Sequence, residues 1–132
     1  VQDFELEHAT GVALDIGRFE TRFVEACLAT WRGEVENDGF HRLLLPTGLS
    51  ARQIVVLRAC GRYLLQTGLP FSQAYMERVL AANAAIAADL VRLFETRLDP
   101  GAPDRGRAAR ASRIAAALAR RLQSVGSADD DR

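Results

Sequence analysis

The sequence predicts an all-α fold, an irregular bundle of about six helices, and three observations carry that reading. Apolar residues recur at spacings of three and four through most of the chain. These stretches are separated by helix-stopping signals at Gly33, Pro46 with Gly48, Gly68 with Pro70, and Asp99-Pro100-Gly101. Strand-like alternation is confined to Val1 to Leu6, with Phe4 and Leu6 on one side and Asp3 and Glu5 on the other. That leaves room for one short strand remnant at the N-terminus, the last strand of an upstream domain.

Residues 1–14 read as a connector from such a domain, and the helical core is expected over 15–100. Its first helix carries Ile16, Phe19, Phe23, Val24, Cys27, Leu28 and Trp31 on one apolar stripe, with Gly33 just past its end. Asn37-Asp38-Gly39 is a turn or the cap of a short helix bearing Phe40, Leu43 and Leu44, closed by Pro46 and Gly48. Ser50-Ala-Arg-Gln53 spells a capping box, in which the hydroxyl takes the Gln53 amide and the Gln53 side chain reaches back. The next stripe is Ile54, Leu57, Gly61 and Leu64, widened by Val55, Cys60 and Leu65, with Arg58 and Arg62 together on another face. Gly61 costs about 1 kcal/mol against alanine in mid-helix, so a close crossing is expected there. Ser72 caps a helix through Leu80 with Tyr75, Met76, Val79 and Leu80 inward. Asn83 caps another, with Ile86, Leu90, Leu93 and Phe94 buried. Residues 101–106 form a Pro/Gly/Asp linker. An arginine-rich amphipathic helix follows over 107–126, with the stripe Ile114, Leu118, Leu122 and Val125, and 127–132 begin a downstream region.

Composition narrows the function. At 132 residues the chain suits one domain. Net charge is zero, which argues against a general polyanion binder. All 17 basic residues are arginine, so Schiff-base and P-loop lysine chemistry cannot come from this chain. Residues 101–132 are net +3 and residues 1–100 net −3, so the arginine helix can dock on the acidic core or on a partner. The chain opens on Val1 and closes on Asp129-Asp-Asp-Arg132, which predicts a piece from inside a longer protein. No apolar run approaches the roughly 20 residues of a membrane span, and no membrane partner is expected. Cys27 and Cys60 form no CxxC and read as two buried free thiols in a reducing cytoplasm.

No catalytic, cofactor-binding or metal-ligating residue is assigned. No GxGxxG cradles a pyrophosphate. His8 and His41 stand far apart with no HExxH or Cys/His cluster, and His41 reads as a hydrogen-bonding residue rather than a general base. Glu34-Val-Glu-Asn-Asp-Gly39 imitates half of an EF-hand loop, but the twelfth position is Leu45 where a bidentate glutamate is needed. Ser50–Gly68 followed by Ser72–Leu80 has a helix-turn-helix outline, yet the second helix offers only Gln73, Glu77 and Arg78 as long polar heads. Arg107, Arg110, Arg113, Arg120 and Arg121 are a better nucleic-acid candidate, although a solvated or docking face is the commoner use and no aromatics interleave for stacking. The aromatic residues, spread along helical stripes, read as core.

Taken as a pattern, Glu36-Asn-Asp-Gly-Phe40, Arg42-Leu43, Leu57-Arg58, Tyr63-Leu64, Gln66, Phe71-Ser-Gln73, Tyr75, Leu93-Phe94 and Asp99-Pro100 resemble the helical segment before the catalytic domain of the large bacterial NAD-specific glutamate dehydrogenases. Val1-Gln-Asp-Phe4 is similar to the exit strand of that family's ACT-like regulatory region, and Val125 to Arg132 to the approach to its catalytic part. His41, Cys60, Leu65 and Leu98 depart from the pattern at positions that touch packing. The resemblance implies a parent enzyme that converts L-glutamate and NAD to 2-oxoglutarate, ammonia and NADH in the cytoplasm. Its substrate and NAD sites would lie downstream, with no cofactor bound by this segment. The segment would be a catalytically silent structural or regulatory coupling module. Its partners would be neighbouring domains of the same chain, with homo-oligomer contacts open. The alternative is a free-standing helical interaction domain, nucleic-acid-associated through the arginine helix.

Overall fold

The computed structural model describes residues 16–101 and 103–125, apart from the side chains of Ile16 and Arg18. Within these residues the chain is helical, with no strand: α1 (Ile16–Trp31), a 3-10 turn (Gly39–Leu43), α2 (Leu44–Thr47), α3 (Ala51–Gln66), α4 (Gln73–Ala82), α5 (Ala84–Leu98) and α6 (Arg107–Leu122). The expected strand remnant at 1–6 and the connector through residue 14 lie outside the described residues.

The core forms where the 3-10 turn, α2, α3 and α5 meet. Phe40, Leu43, Leu44, Leu49, Ile54, Leu57, Ala87 and Val91 are buried together, with Ala26 of α1 at the edge. Local chemistry places these side chains. Gly33 takes a left-handed φ of 71° and ends the run of α1. The capping box starts α3: the Gln53 amide donates to Ser50 Oγ at 3.2 Å, and the Ser50 amide to Gln53 Oε1 at 3.0 Å. Space is needed at Gly61 for a side chain rather than for a helix crossing: a Cβ there would stand 3.2 Å from Cζ of Phe40. The whole Phe40 ring is buried against this bare stretch of α3. Gly68 closes α3 with φ 82°.

Several expectations are corrected. Pro46 lies inside α2 rather than closing it, tolerated because first-turn amides have no intrahelical acceptor. Gly48, with φ 66°, supplies the stop. Asn83 holds the N-cap position of α5 as expected, but its side chain makes no cap bond there; its Nδ2 donates back to the Val79 carbonyl at 2.9 Å and closes α4. Arg58 lies within the buried arc of Ile54, Leu57 and Gly61 rather than with Arg62 on a separate face. Cys60 lies about 100° round the helix from Gly61 and is exposed. Cys27 is exposed too, as part of the outward face of α1.

That face is the largest departure. Among the described side chains of α1 only Ala26 is buried, while Phe23, Val24 and Leu28 are substantially exposed and Trp31 is 90% exposed. The helix touches α2 and α3 through a small side chain, and the Arg22 guanidinium pins it to the Gly48 carbonyl. α4 buries no residue completely, and Val79 is exposed. On α5 the buried arc is Ile86, Ala87, Asp89 and Val91, with Leu90 and Phe94 exposed, because that helix is gripped by the core and by α6. α6 docks along α5 and buries Ala111 and Leu118; Leu122 and Val125 run out into solvent past the end of the contact.

Candidate functional site

The densest charge cluster grows from the turn before α2. Asp38 has extended backbone (φ −139°, ψ 179°), and its Oδ1 accepts from the Phe40 amide at 3.1 Å, capping the 3-10 turn. The cap aims the carboxylate at α3. There Arg58 Nη2 donates to Asp38 Oδ1 at 2.8 Å and to the Glu36 carbonyl at 3.1 Å, while Nε donates to Oδ2. This is a two-pronged guanidinium–carboxylate pair, and both side chains are almost wholly enclosed, 6% and 12% exposed. One turn on, Arg62 takes the Glu36 carboxylate, with Nη1 to Oε1 at 2.8 Å, near the solvent. The Arg58 guanidinium lies 5.9 Å from the Phe40 ring centre, within cation–π range.

Electrostatics follow from this packing. Burial pushes the Asp38 carboxyl up, but the hydrogen bonds and charge of Arg58, with the Phe40 amide, outweigh it and hold the group below its ordinary value. Hydrogen bonding to Asp38 raises Arg58 further. His41 is pushed down, first by burial and then by the Arg58 charge, against a weaker pull from Asp38. Its Nε2 is buried without a hydrogen-bond partner among the described residues, which fits a neutral ring.

A second buried carboxylate joins α5 to α6. Asp89, 6% exposed, accepts from Arg121 Nε at 2.9 Å and from Arg92 Nη1 at 3.3 Å. The linker is tied down nearby: Arg110 donates to the carbonyls of Pro103 and Arg105 at 2.8 Å each, and Arg107 pairs with Asp104 at 3.2 Å. Three of the five arginines in the nucleic-acid reading thus act inside the fold.

Chemically, these clusters are clasps. Each buried carboxylate is neutralised by a guanidinium that cannot give up its proton at ordinary pH. The EF-hand-like run is consumed in the same way, with Asp38 and Glu36 turned onto α3. Among the described residues no group of three or more His, Cys, Asp or Glu could hold a metal ion. His8 lies outside the described residues. The Asp38–Arg58 and Asp89–Arg121 pairs were missed from sequence. The position of Arg58 within the apolar arc of α3 was the available signal for the first. A further surface feature is an open groove of about 470 Å³ between α1 and α3, bordered by Glu25, Leu28, Arg32, Val35, Arg52 and Val55.

A family model described as glutamate dehydrogenase, helical motif 3, matches residues 35–100. The chain is similar to the NAD-specific glutamate dehydrogenase of Mycobacterium tuberculosis, with 41% identity over 111 residues, 84% of this chain and 7% of that protein. The enzyme of the same name from Halomonas elongata is 40% identical over 100 residues, 76% of this chain and 6% of its own length. That of Pseudomonas aeruginosa is 39% identical over 97 residues, 74% and 6% respectively. No solved structure matches the chain. The matched segment contains the 3-10 turn, the Asp38–Arg58 clasp and α2 to α5, and it leaves α1 and α6 outside.

Proposed function

Because this chain belongs to the helical motif 3 family of glutamate dehydrogenases, we propose that it is a non-catalytic segment that spaces and couples the regulatory and catalytic parts of a large NAD-dependent enzyme. The chain spans only 6–7% of the length of the relatives it matches. The activity assigned to the parent is oxidation of L-glutamate by NAD to 2-oxoglutarate and ammonia, in the cytoplasm. The observation that carries the coupling role is the use of charge: Asp38, Arg58 and Asp89 lock helices to one another and none is held ready for a substrate. The Asp38–Arg58 pair holds the 3-10 turn to α3, and the Asp89–Arg121 pair holds α6 against α5, as a rigid spacer requires. The partners are the neighbouring domains of the same chain. NAD binds elsewhere in the parent.

The test is NADH formation from L-glutamate by the full-length parent, by the parent lacking 35–100, and by this chain alone. An active parent, a silent fragment and a deletion that loses activity, effector response or assembly support the proposal. A deletion that keeps all three refutes it.

A further inference from the structure

We infer that the outward face of α1, with the groove between α1 and α3, seats an amphipathic helix from elsewhere in the same polypeptide. The inference rests on the reading that this chain is one segment of a longer dehydrogenase. Phe23, Val24, Leu28 and Trp31 recur at helical spacing on α1, and all four are exposed, Trp31 almost completely. Of these, Leu28 forms the edge shared with the groove, where Val55 of α3 is exposed on the far side. Single exposed apolar residues are ordinary; a contiguous strip of this kind on one helix marks an interaction surface. An apolar strip at i, i+4 and i+7 (Val24, Leu28, Trp31) suits helix-on-helix packing with a second amphipathic helix laid along it. Its rim carries Glu25 and Glu34 beside Arg32 and Arg52. Mixed charge of this kind matches a helix flanked by both signs and gives no preference for a polyanion.

The occupant is assigned to the same chain on length. The relatives place more than nine-tenths of their residues outside the segment matched here. A helix tethered in that remainder meets the groove at an effective concentration in the millimolar range for a short flexible connection, so no separate partner has to be recruited.

Cys27 reports on the face directly, since it is exposed on the same side of α1. The experiment is native alkylation of Cys27, read by peptide mass spectrometry, in this chain and in the full-length parent. The expected result is rapid labelling in the chain alone and labelling slower by about tenfold or more in the parent, as for a site opened only by local unfolding. Trp31→Ser removes a side chain outside the core, so it should leave the melting of this chain unchanged while restoring Cys27 labelling in the parent. Photo-crosslinking from p-benzoylphenylalanine placed at position 31, in parent assembled from light and heavy isotope-labelled copies, identifies the cover. Crosslinks within one isotope support the inference. Mixed-isotope crosslinks assign the face to a second copy and overturn it. Equal labelling in chain and parent overturns it, as does slow labelling in the chain alone. NADH formation by the parent is scored separately: an active parent with an open Cys27 sinks only this inference, and an inactive folded parent sinks the family activity.

Discussion

Replacing Arg58 by methionine isolates the worth of the buried clasp. Methionine keeps much of the apolar stem that packs near Phe40 and removes three donated hydrogen bonds, two to Asp38 and one to the Glu36 carbonyl. Asp38 is left enclosed with the Phe40 amide as its remaining partner at 3.1 Å. Breaking one side of a buried pair costs about 3–5 kcal/mol. The surviving cap bond and the ability of Asp38 to take a proton place Arg58→Met near the lower end, about 3 kcal/mol. The assay is urea unfolding followed by helical circular dichroism. With a slope of about 2 kcal/mol per molar for a domain of this size, the midpoint should fall by about 1.5 M. The double variant Asp38→Asn/Arg58→Met keeps a capping side chain and buries no charge, so it should recover to within about 1 kcal/mol of the parent chain. A single-variant loss below about 1 kcal/mol, or a double variant no better than the single, would refute the view that an uncompensated buried carboxylate dominates.

Acidification should weaken the fold in two steps. His41 is lowered in the folded state, so the unfolded chain binds more protons just below the ordinary histidine value of about 6.5, and stability falls as pH drops through that window. Asp38 is also lowered, so its contribution is complete above the ordinary aspartate value of about 3.9 and is lost as pH falls through the folded value. His41→Asn should erase the first step and keep the second in a series of urea midpoints against pH; an unchanged first step would contradict the assignment. Asp89→Asn should speed amide exchange across 107–122 by about tenfold, through the loss of the charge-assisted bond from Arg121 that ties α6 to α5, while α3 keeps its protection. Equal acceleration in both helices would show that α6 is not separately held. Gly61→Leu should cost about 1–3 kcal/mol by forcing the Phe40 ring aside, and a neutral midpoint would mean the ring yields freely.

The helices themselves were legible because their signals are local. Ser50 and Gln53 satisfy one another within a single turn, and Gly33, Gly48 and Gly68 stop helices wherever they occur. Gly61 was legible as a demand for space, though not as the seat of Phe40. Tertiary pairing was the part that stayed hidden. The spacing of Arg58 puts it in the apolar arc of α3 and so signals burial, but it does not name the carboxylate twenty residues upstream that the turn at Asp38 brings to it. The α1 stripe reads as core in the sequence because amphipathicity states that a face will be covered without saying by what. The α5 face was misplaced for a related reason, since a helix gripped from two sides has no single stripe. The Asp38–Arg58 cluster was therefore visible in its parts and not in its union.

The enclosure of Phe40 between Gly61 and the Arg58 guanidinium also has an evolutionary consequence. A larger residue at 61 needs a smaller one at 40, and a smaller one at 40 takes the aromatic face away from Arg58. An uncharged residue at 58 in turn strands Asp38. Single steps away from this set pass through a less stable protein, whereas paired steps need not. Positions 38, 40, 58 and 61 should therefore drift together or stand still across descendants of this sequence, while the exposed outer positions of α4 change one at a time.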